Sequence, residues 1–191
     1  MVQFQCTLCG ECCKWYWIPL THLDTLRLKI YGNHNLKRIL DLRSSEDNDE
    51  FTVEVEEGRY HLALVKIEDA CIFLDDGKCI IHDYKPFACR FYPFMYSVGY
   101  NGRITIEVNS EAMGKCPGLK IDSKIIPKEI RENLRKLARI RLLEKQLWIN
   151  TIKSWNENDG RKRSLKELIE FIVKRAEADM NYLSKLGVWV K

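Results

Sequence analysis

A chain of 191 residues, 46% hydrophobic and 30% charged, can bury a core of its own, so its cysteines are not needed merely to staple it together. No apolar run reaches the ~20 residues that cross a bilayer, and Met1-Val2-Gln3-Phe4-Gln5 lacks the basic and apolar regions of a signal peptide; the expected compartment is the cytoplasm, with no membrane partner. The net charge of +4 is unevenly spread: residues 1–119 carry 13 Lys and Arg against 17 Asp and Glu, a net −4, whereas residues 120–191 carry 18 against 10, a net +8.

In chain order, Thr21-His22-Leu23-Asp24 predicts a helix start, because a Thr followed three residues later by an acid can satisfy free backbone amides. Gly32 ends that helix. A second short helix is expected from Asn33 or Asn35 to about Arg43, before an acidic loop over residues 44–50. Phe51-Thr52-Val53-Glu54-Val55 and Tyr60-His61-Leu62-Ala63-Leu64-Val65 flank Glu56-Glu57-Gly58 and predict a hairpin. Asn101-Gly102 predicts a second, with a two-residue turn at positive φ between residues 94–100 and 103–108.

From Pro127 the pattern becomes helical. Ile130, Leu134, Leu137, Ile140, Leu143 and Leu147 recur at steps of three and four, predicting one long helix reaching about Trp155. Asn156 to Gly160 is a turn. Ser164-Leu165-Lys166-Glu167 is a capping box opening a last helix along Leu165, Leu168, Ile169, Ile172, Ala176 and Leu183. These stripes are expected to face the core. Solvated Lys and Arg faces account for the basic tail more simply than nucleic acid does, so a nucleic-acid partner is not expected.

The chemistry lies in eight cysteines between Cys6 and Cys116, with none in the last 75 residues. In a reducing compartment they are expected as thiols or metal ligands, with the intracellular disulfides of hyperthermophiles as the counter-case. Cys6-x-x-Cys9 lets one tight turn direct two sulfurs at a single ion, and Gly10 frees the backbone to aim amides at them. Extension to Cys12 gives the spacing with which bacterial ferredoxins supply three iron ligands, and Cys116-Pro117 is similar to their remote fourth. Cys12 and Cys13 are adjacent and are expected not to share one tetrahedral ion without strain. Cys71, Cys79, Cys89 and Cys116 form a second, widely spaced set that only a folded chain can gather. Thiolates in a low dielectric need a cation, so metal explains the set better than a dry thiol core. Eight thiolates fit two four-cysteine zinc sites, two cubane clusters, or one site with spare cysteines.

Four blocks stand in order: Phe4-x-Cys6-x-x-Cys9-Gly10-x-Cys12-Cys13; Cys71-x-Phe73-Leu74; Cys79-x-Ile81-His82-x-x-Lys85-Pro86-x-x-Cys89-Arg90-x-Tyr92-Pro93; and Cys116-Pro117-Gly118. Over residues 4 to about 118 the sequence resembles the CxxCxxCC cysteine-cluster family, described as zinc- or iron-chelating. Lys85 stands where that family often has Arg, and Ile72 where it often has Pro; neither is a candidate ligand. One branch of the family is joined to flagellin lysine methylases, in which the cysteine region is associated with an iron–sulfur cluster. The resemblance implies metal and no particular reaction.

Around the cysteines, Lys85 and Arg90 are candidates to offset thiolate charge or to pair with Asp83. His82 is expected to support rather than ligate, and His22, His34 and His61 to be structural. Trp15, Tyr16, Trp17, Phe87, Phe91, Tyr92 and Phe94 are expected as local core. The C-x3-C-x2-C spacing of a radical S-adenosylmethionine enzyme, a Gly-rich nucleotide loop and a thioredoxin-like context are all missing from the sequence.

The expected fold is α+β, with a metal-nucleated region of short helices and a small antiparallel sheet over residues 1–120 and a helical hairpin over 121–191 packed on it. The expected function is binding of an iron–sulfur cluster, [4Fe–4S], through Cys6, Cys9, Cys12, Cys13, Cys71, Cys79, Cys89 and Cys116, in an electron-transfer, structural or partner-assisting role. Structural zinc is one alternative, and protein lysine methylation, or assistance to it, another. No residue is assigned to catalysis, and a protein partner is left open.

Overall fold

The computed structural model describes residues 1–46 and 49–191, so positions 47 and 48 of the expected acidic loop lie outside the described residues. Strand β1 (Val2–Phe4) leads into helix α1 (Glu11–Trp15), and α2 (His22–Gly32) follows. Thr21 caps α2 reciprocally: its Oγ1 accepts from the Asp24 amide at 3.2 Å, and Asp24 Oδ2 accepts from the Thr21 amide at 3.1 Å. Asn33, in the left-handed region, closes the helix beyond Gly32.

Helix α3 (Leu36–Ile39) starts at an Asn35 cap, as expected, but stops four residues before Arg43. Residues Leu40–Ser44 are instead strand β2. Leu40 is buried while Asp41 and Arg43 point elsewhere, which is period-two spacing over a run too short to separate from a helical turn. β2 pairs with β4 (Gly58–Leu64), which also pairs with β3 (Val53–Val55) across the expected Glu56-Glu57 turn.

Two small hairpins come next: β5 (Lys66–Ile67) with β6 (Ala70–Cys71), and β7 (Leu74–Asp75) with β8 (Lys78–Cys79). Their connecting pairs, Glu68-Asp69 and Asp76-Gly77, all have positive φ, as two-residue turns require. Helix α4 (Phe87–Phe91) leads to the hairpin β9 (Phe94–Val98) and β10 (Ile104–Val108). Its turn differs from expectation. Gly102 takes φ +74 but Asn101 stays negative, and the Gly102 amide donates to Gly99 O at 2.9 Å. The bend is therefore centred on Tyr100 and Asn101, with Gly102 as the left-handed residue that follows. Strand β11 (Leu119–Ile121) returns to pair antiparallel with β1, a pairing the sequence reading did not foresee.

Helix α5 (Lys128–Glu157) has Pro127 at its N-cap, and α6 (Leu165–Lys185) opens on the Ser164–Glu167 capping box. Helix α6 packs on α2, and α5 on β10 and β3. The buried face of α5 runs through Leu134, Ala138, Arg141, Glu144, Trp148 and Trp155; of the expected Leu/Ile stripe Leu134 is buried, and the rest flank that face half-buried. Burying each large apolar side chain here contributes about 1.5–3 kcal/mol. The architecture is α+β, and no helix among the described residues is long and apolar enough to cross a membrane.

Candidate metal centre

The first cysteine loop is shaped by backbone. Leu8, between Cys6 and Cys9, sits at φ 58, a conformation that costs an L-residue about 1–2 kcal/mol. Gly10, at φ 68, lies so close to the β7–β8 hairpin that a Cβ there would overlap Leu74 Cδ1 and come within 2.8 Å of Gly77 O. The glycine thus lets the loop rest on the hairpin that carries Cys79. Its carbonyl accepts from the Cys13 amide at 2.8 Å, starting α1 with Cys12 and Cys13 in the first turn. α1 packs on β6, which holds Cys71. α4 carries Cys89, whose amide donates to Pro86 O at 2.9 Å. Cys116 is placed by β1–β11: the Gln5 amide donates to Gly118 O at 3.1 Å, and a Cβ on Gly118 would overlap Gln5 O. That close approach sets Cys6 beside Cys116.

All eight cysteines are free thiols, and all eight line one cavity of about 250 Å³. The structure groups them differently from their order in sequence. The Cys13 thiol hydrogen-bonds with Cys12, Cys71 and Cys79, and Cys89 lies in the field of Cys12, Cys71 and Cys79. Cys116 instead neighbours Cys9 and Cys6. Adjacent Cys12 and Cys13 therefore lie in one group of thiols.

These contacts set the protonation states. Hydrogen bonds to Cys12, Cys71 and Cys79, together with burial, push the Cys13 thiol far up, so it keeps its proton. Cys13 has one proton to donate, and the neighbour that receives it is lowered against burial, Cys12 to about 7 or Cys79 to about 6, with Cys71 lowered likewise in its turn. Burial pushes Cys89 well up and Cys116 up. Lys85 supplies positive charge to Cys12, Cys79 and Cys89, while its Nζ donates to His82 Nε2 at 3.0 Å. Arg90 is engaged elsewhere: Nε donates to Lys85 O at 3.0 Å, Nη2 to Lys191 O, and the guanidinium lies 4.8 Å from the Phe87 ring centre. Tyr16, Trp17, Tyr92 and Phe94 wall the cavity; Phe87, Phe91 and Phe94 are buried, and Trp15 is exposed.

Beneath α4 lies an ion network that sequence reasoning missed. Asp24 Oδ1 accepts from the Phe87 amide at 3.0 Å, tying α2 to the first residue of the Cys89 helix. Asp24 Oδ2 accepts from Arg141 at 3.0 Å. Arg27 donates to Glu144 through both terminal nitrogens, and its Nε donates to Val190 O at 2.6 Å. Burial opposes ionisation of Asp24, but Arg141, Arg27 and two backbone amides outweigh it and hold the carboxyl below its usual range. His22 Nε2 meets Asp179 Oδ2 at 2.9 Å, and burial keeps the imidazole below its ordinary value despite that partner. The signal for Arg141 and Glu144 was positional, since both fall at core spacing between Ala138 and Trp148.

No group of three or more His, Cys, Asp or Glu among the described residues stands in a ready-made ion-holding arrangement. The inner sulfurs are packed on one another through S–H contacts, so taking up a metal requires side-chain rotation and loss of protons. The donor set is all sulfur, which suits zinc and iron–sulfur centres. A further feature fits an occupant: the Tyr92 hydroxyl is buried, lines the cavity and has no hydrogen-bond partner, a condition a native fold rarely leaves uncompensated.

Among known proteins, the chain is 25% identical over 176 residues to an uncharacterised protein of Methanocaldococcus jannaschii. The match covers 88% of this chain and 53% of the relative, so the chain spans about half of that protein's length. No solved structure matches the chain. The family model CxxCxxCC, "Putative zinc- or iron-chelating domain", matches residues 5–118, which takes in all eight cysteines and stops before α5. The chain belongs to the CxxCxxCC family.

Proposed function

We propose that this protein binds an iron–sulfur cluster of the [4Fe–4S] type through its clustered cysteines and serves electron transfer, a structural role or a partner protein. The observation that carries this reading is the single cavity of about 250 Å³ lined by all eight cysteines. A lone tetrahedral zinc ion takes four sulfurs, and eight cysteines lining one cavity are more than one such ion needs. Donation from Cys13 favours a thiolate at Cys12 or at Cys79, the form that binds metal.

Zinc is the second reading, favoured by the family description and by the all-thiolate donor set. Purification under exclusion of oxygen, followed by absorption spectroscopy and assays for iron, acid-labile sulfide and zinc, separates the two. The expected result is a brown protein with iron and sulfide in equal amounts. A colourless protein with stoichiometric zinc would replace the first reading by the second, and a protein without either metal would remove both.

A further inference from the structure

A second cavity, of about 240 Å³, opens between β4, α5 and the segment that links α1 to α2. It shares Trp17 with the cysteine cavity but contains no cysteine. Its apolar side is buried, with Leu20, Leu62 and Trp148 each at most 3% exposed. Half-buried Phe51 and exposed Trp17 carry the aromatic lining outward. Two cations four residues apart on α5, Arg141 and Lys145, face it from the same side. The ion pairs that α5 makes among the described residues are Arg135–Glu132, Arg141–Asp24, Glu144–Arg27 and Lys153–Glu157, and they leave Lys145 out. Its ammonium lies instead 5.5 Å and 5.7 Å from the ring centres of Phe51 and Tyr96. Burial and the neighbouring Arg141 lower its pKa, against the opposing charge of Glu50. Asp49, the one carboxylate in the lining, is engaged: its Oδ1 accepts from the Phe51 amide at 2.9 Å and the Thr52 hydroxyl at 3.0 Å, and meets His61 Nε2 at 3.0 Å.

We infer that this second cavity binds a small aromatic carboxylate, its anionic group on Lys145 beside Arg141 and its ring among Trp17, Phe51 and Trp148. A half-buried cation without a counter-charge is costly, and a bound anion removes that cost. Asp24 already matches Arg141, so one positive charge is left over. A carboxylate balances it, whereas a phosphate group, at about −1.5 to −2, overshoots. The aromatic walls favour a planar ring, through stacked or edge contacts. The volume falls just below the roughly 300 Å³ at which drug-sized sites begin, which suits one ring or two fused rings. Both cations and Trp148 lie on α5, beyond the residues 5–118 that carry the family match. The site uses no cysteine and needs no metal.

The test titrates the full chain, as purified, with naphthoate, with its neutral counterpart naphthalenemethanol and with inorganic phosphate, followed by calorimetry. Naphthoate is expected to saturate at one per chain, to bind about tenfold more tightly than the neutral compound, and to be left in place by phosphate. Lys145→Met keeps the apolar stem and removes the charge. With its fold checked by circular dichroism, it is expected to weaken naphthoate about tenfold and to leave the neutral compound unchanged, and Lys145→Arg to restore most of the loss. Should Lys145→Met fail to fold, Phe51→Leu serves, with weaker binding of both aromatic compounds as the expected result. The inference is overturned if naphthoate does not saturate, if the neutral compound binds as tightly, if phosphate displaces naphthoate, or if a folded Lys145→Met or Phe51→Leu variant keeps full affinity. Metal binding stands or falls separately, since none of these substitutions touches a cysteine.

Discussion

The chain buries polar and ionisable groups in two neighbouring regions and completes only one of them. Beneath α4, Asp24, Arg27, Arg141 and Glu144 satisfy one another: the Asp24 carboxylate accepts from Arg141, the Phe87 amide and the Thr21 amide, and Arg27 is chelated by Glu144. On the other side of α4, eight thiols line one cavity together with the Tyr92 hydroxyl, which has no hydrogen-bond partner within the chain, and Lys85 acts on several of the sulfurs. A network closed by the chain's own residues holds the fold. The sulfur donor set is the part of the chain that the family description, zinc- or iron-chelating, concerns. Phe87 joins the two, since its amide is held by Asp24 while Cys89 follows two residues later.

The comparison breaks first if removing metal leaves stability unchanged. A ligand bound only by the native state stabilises it by about 4 kcal/mol when its free concentration is a thousand times Kd. Chelation should therefore lower the thermal midpoint by several degrees, and more if folding of the cysteine region depends on metal.

Next in size is Asp24→Ala. Breaking a fully buried pair and leaving Arg141 uncompensated costs about 3–5 kcal/mol, readable by denaturant unfolding. Metal affinity should fall with it, because the anchor of the Cys89 helix is lost.

Gly10→Ala sharpens the other region. A methyl at φ 68 against Leu74 and Gly77 should cost about 1–3 kcal/mol and should weaken metal binding further, by lifting the first loop off the β7–β8 hairpin. Equal metal affinity in wild type and variant would contradict the part assigned to that contact.

Acid provides a graded test. Both Asp24 and His22 have native values below their ordinary ones of 3.8 and 6.5. The unfolded chain therefore takes up protons first, and stability falls as pH drops. His22 acts from about 6.5 downward and Asp24 only below about 3.8, so His22→Gln should flatten the upper part of the decline while leaving the lower part. The smallest effect belongs to the exposed Lys29–Glu177 pair at 3.5 Å, where Lys29→Ala should change stability by less than about 0.5 kcal/mol.

Local rules were legible in sequence wherever partners are close along the chain. Thr21 with Asp24 and Ser164 with Glu167 cap the helices they announce, and the Glu56-Glu57 hairpin forms as expected. What escaped depends on distance. Phe4 and Leu119 pair across most of the cysteine region in strands of three residues, too short to leave a pattern. Asp24 and Arg141 meet across 117 positions, and charges on a long helix read by default as solvated. The cysteines themselves were plain, but their convergence on one cavity follows from the β1–β11 contact and from Gly10 on its hairpin, which spacing does not encode. Cys116 lies near Cys6 and Cys9, on the side of the remote-fourth analogy rather than of the widely spaced set with which the sequence also grouped it.

X-ray absorption at the metal edge of protein purified without oxygen tests the central claim most directly. An inner shell made only of sulfur, at about 2.3 Å for zinc and with an additional iron shell for a cluster, is the predicted result. A shell dominated by nitrogen and oxygen, or the absence of any bound metal, would contradict it.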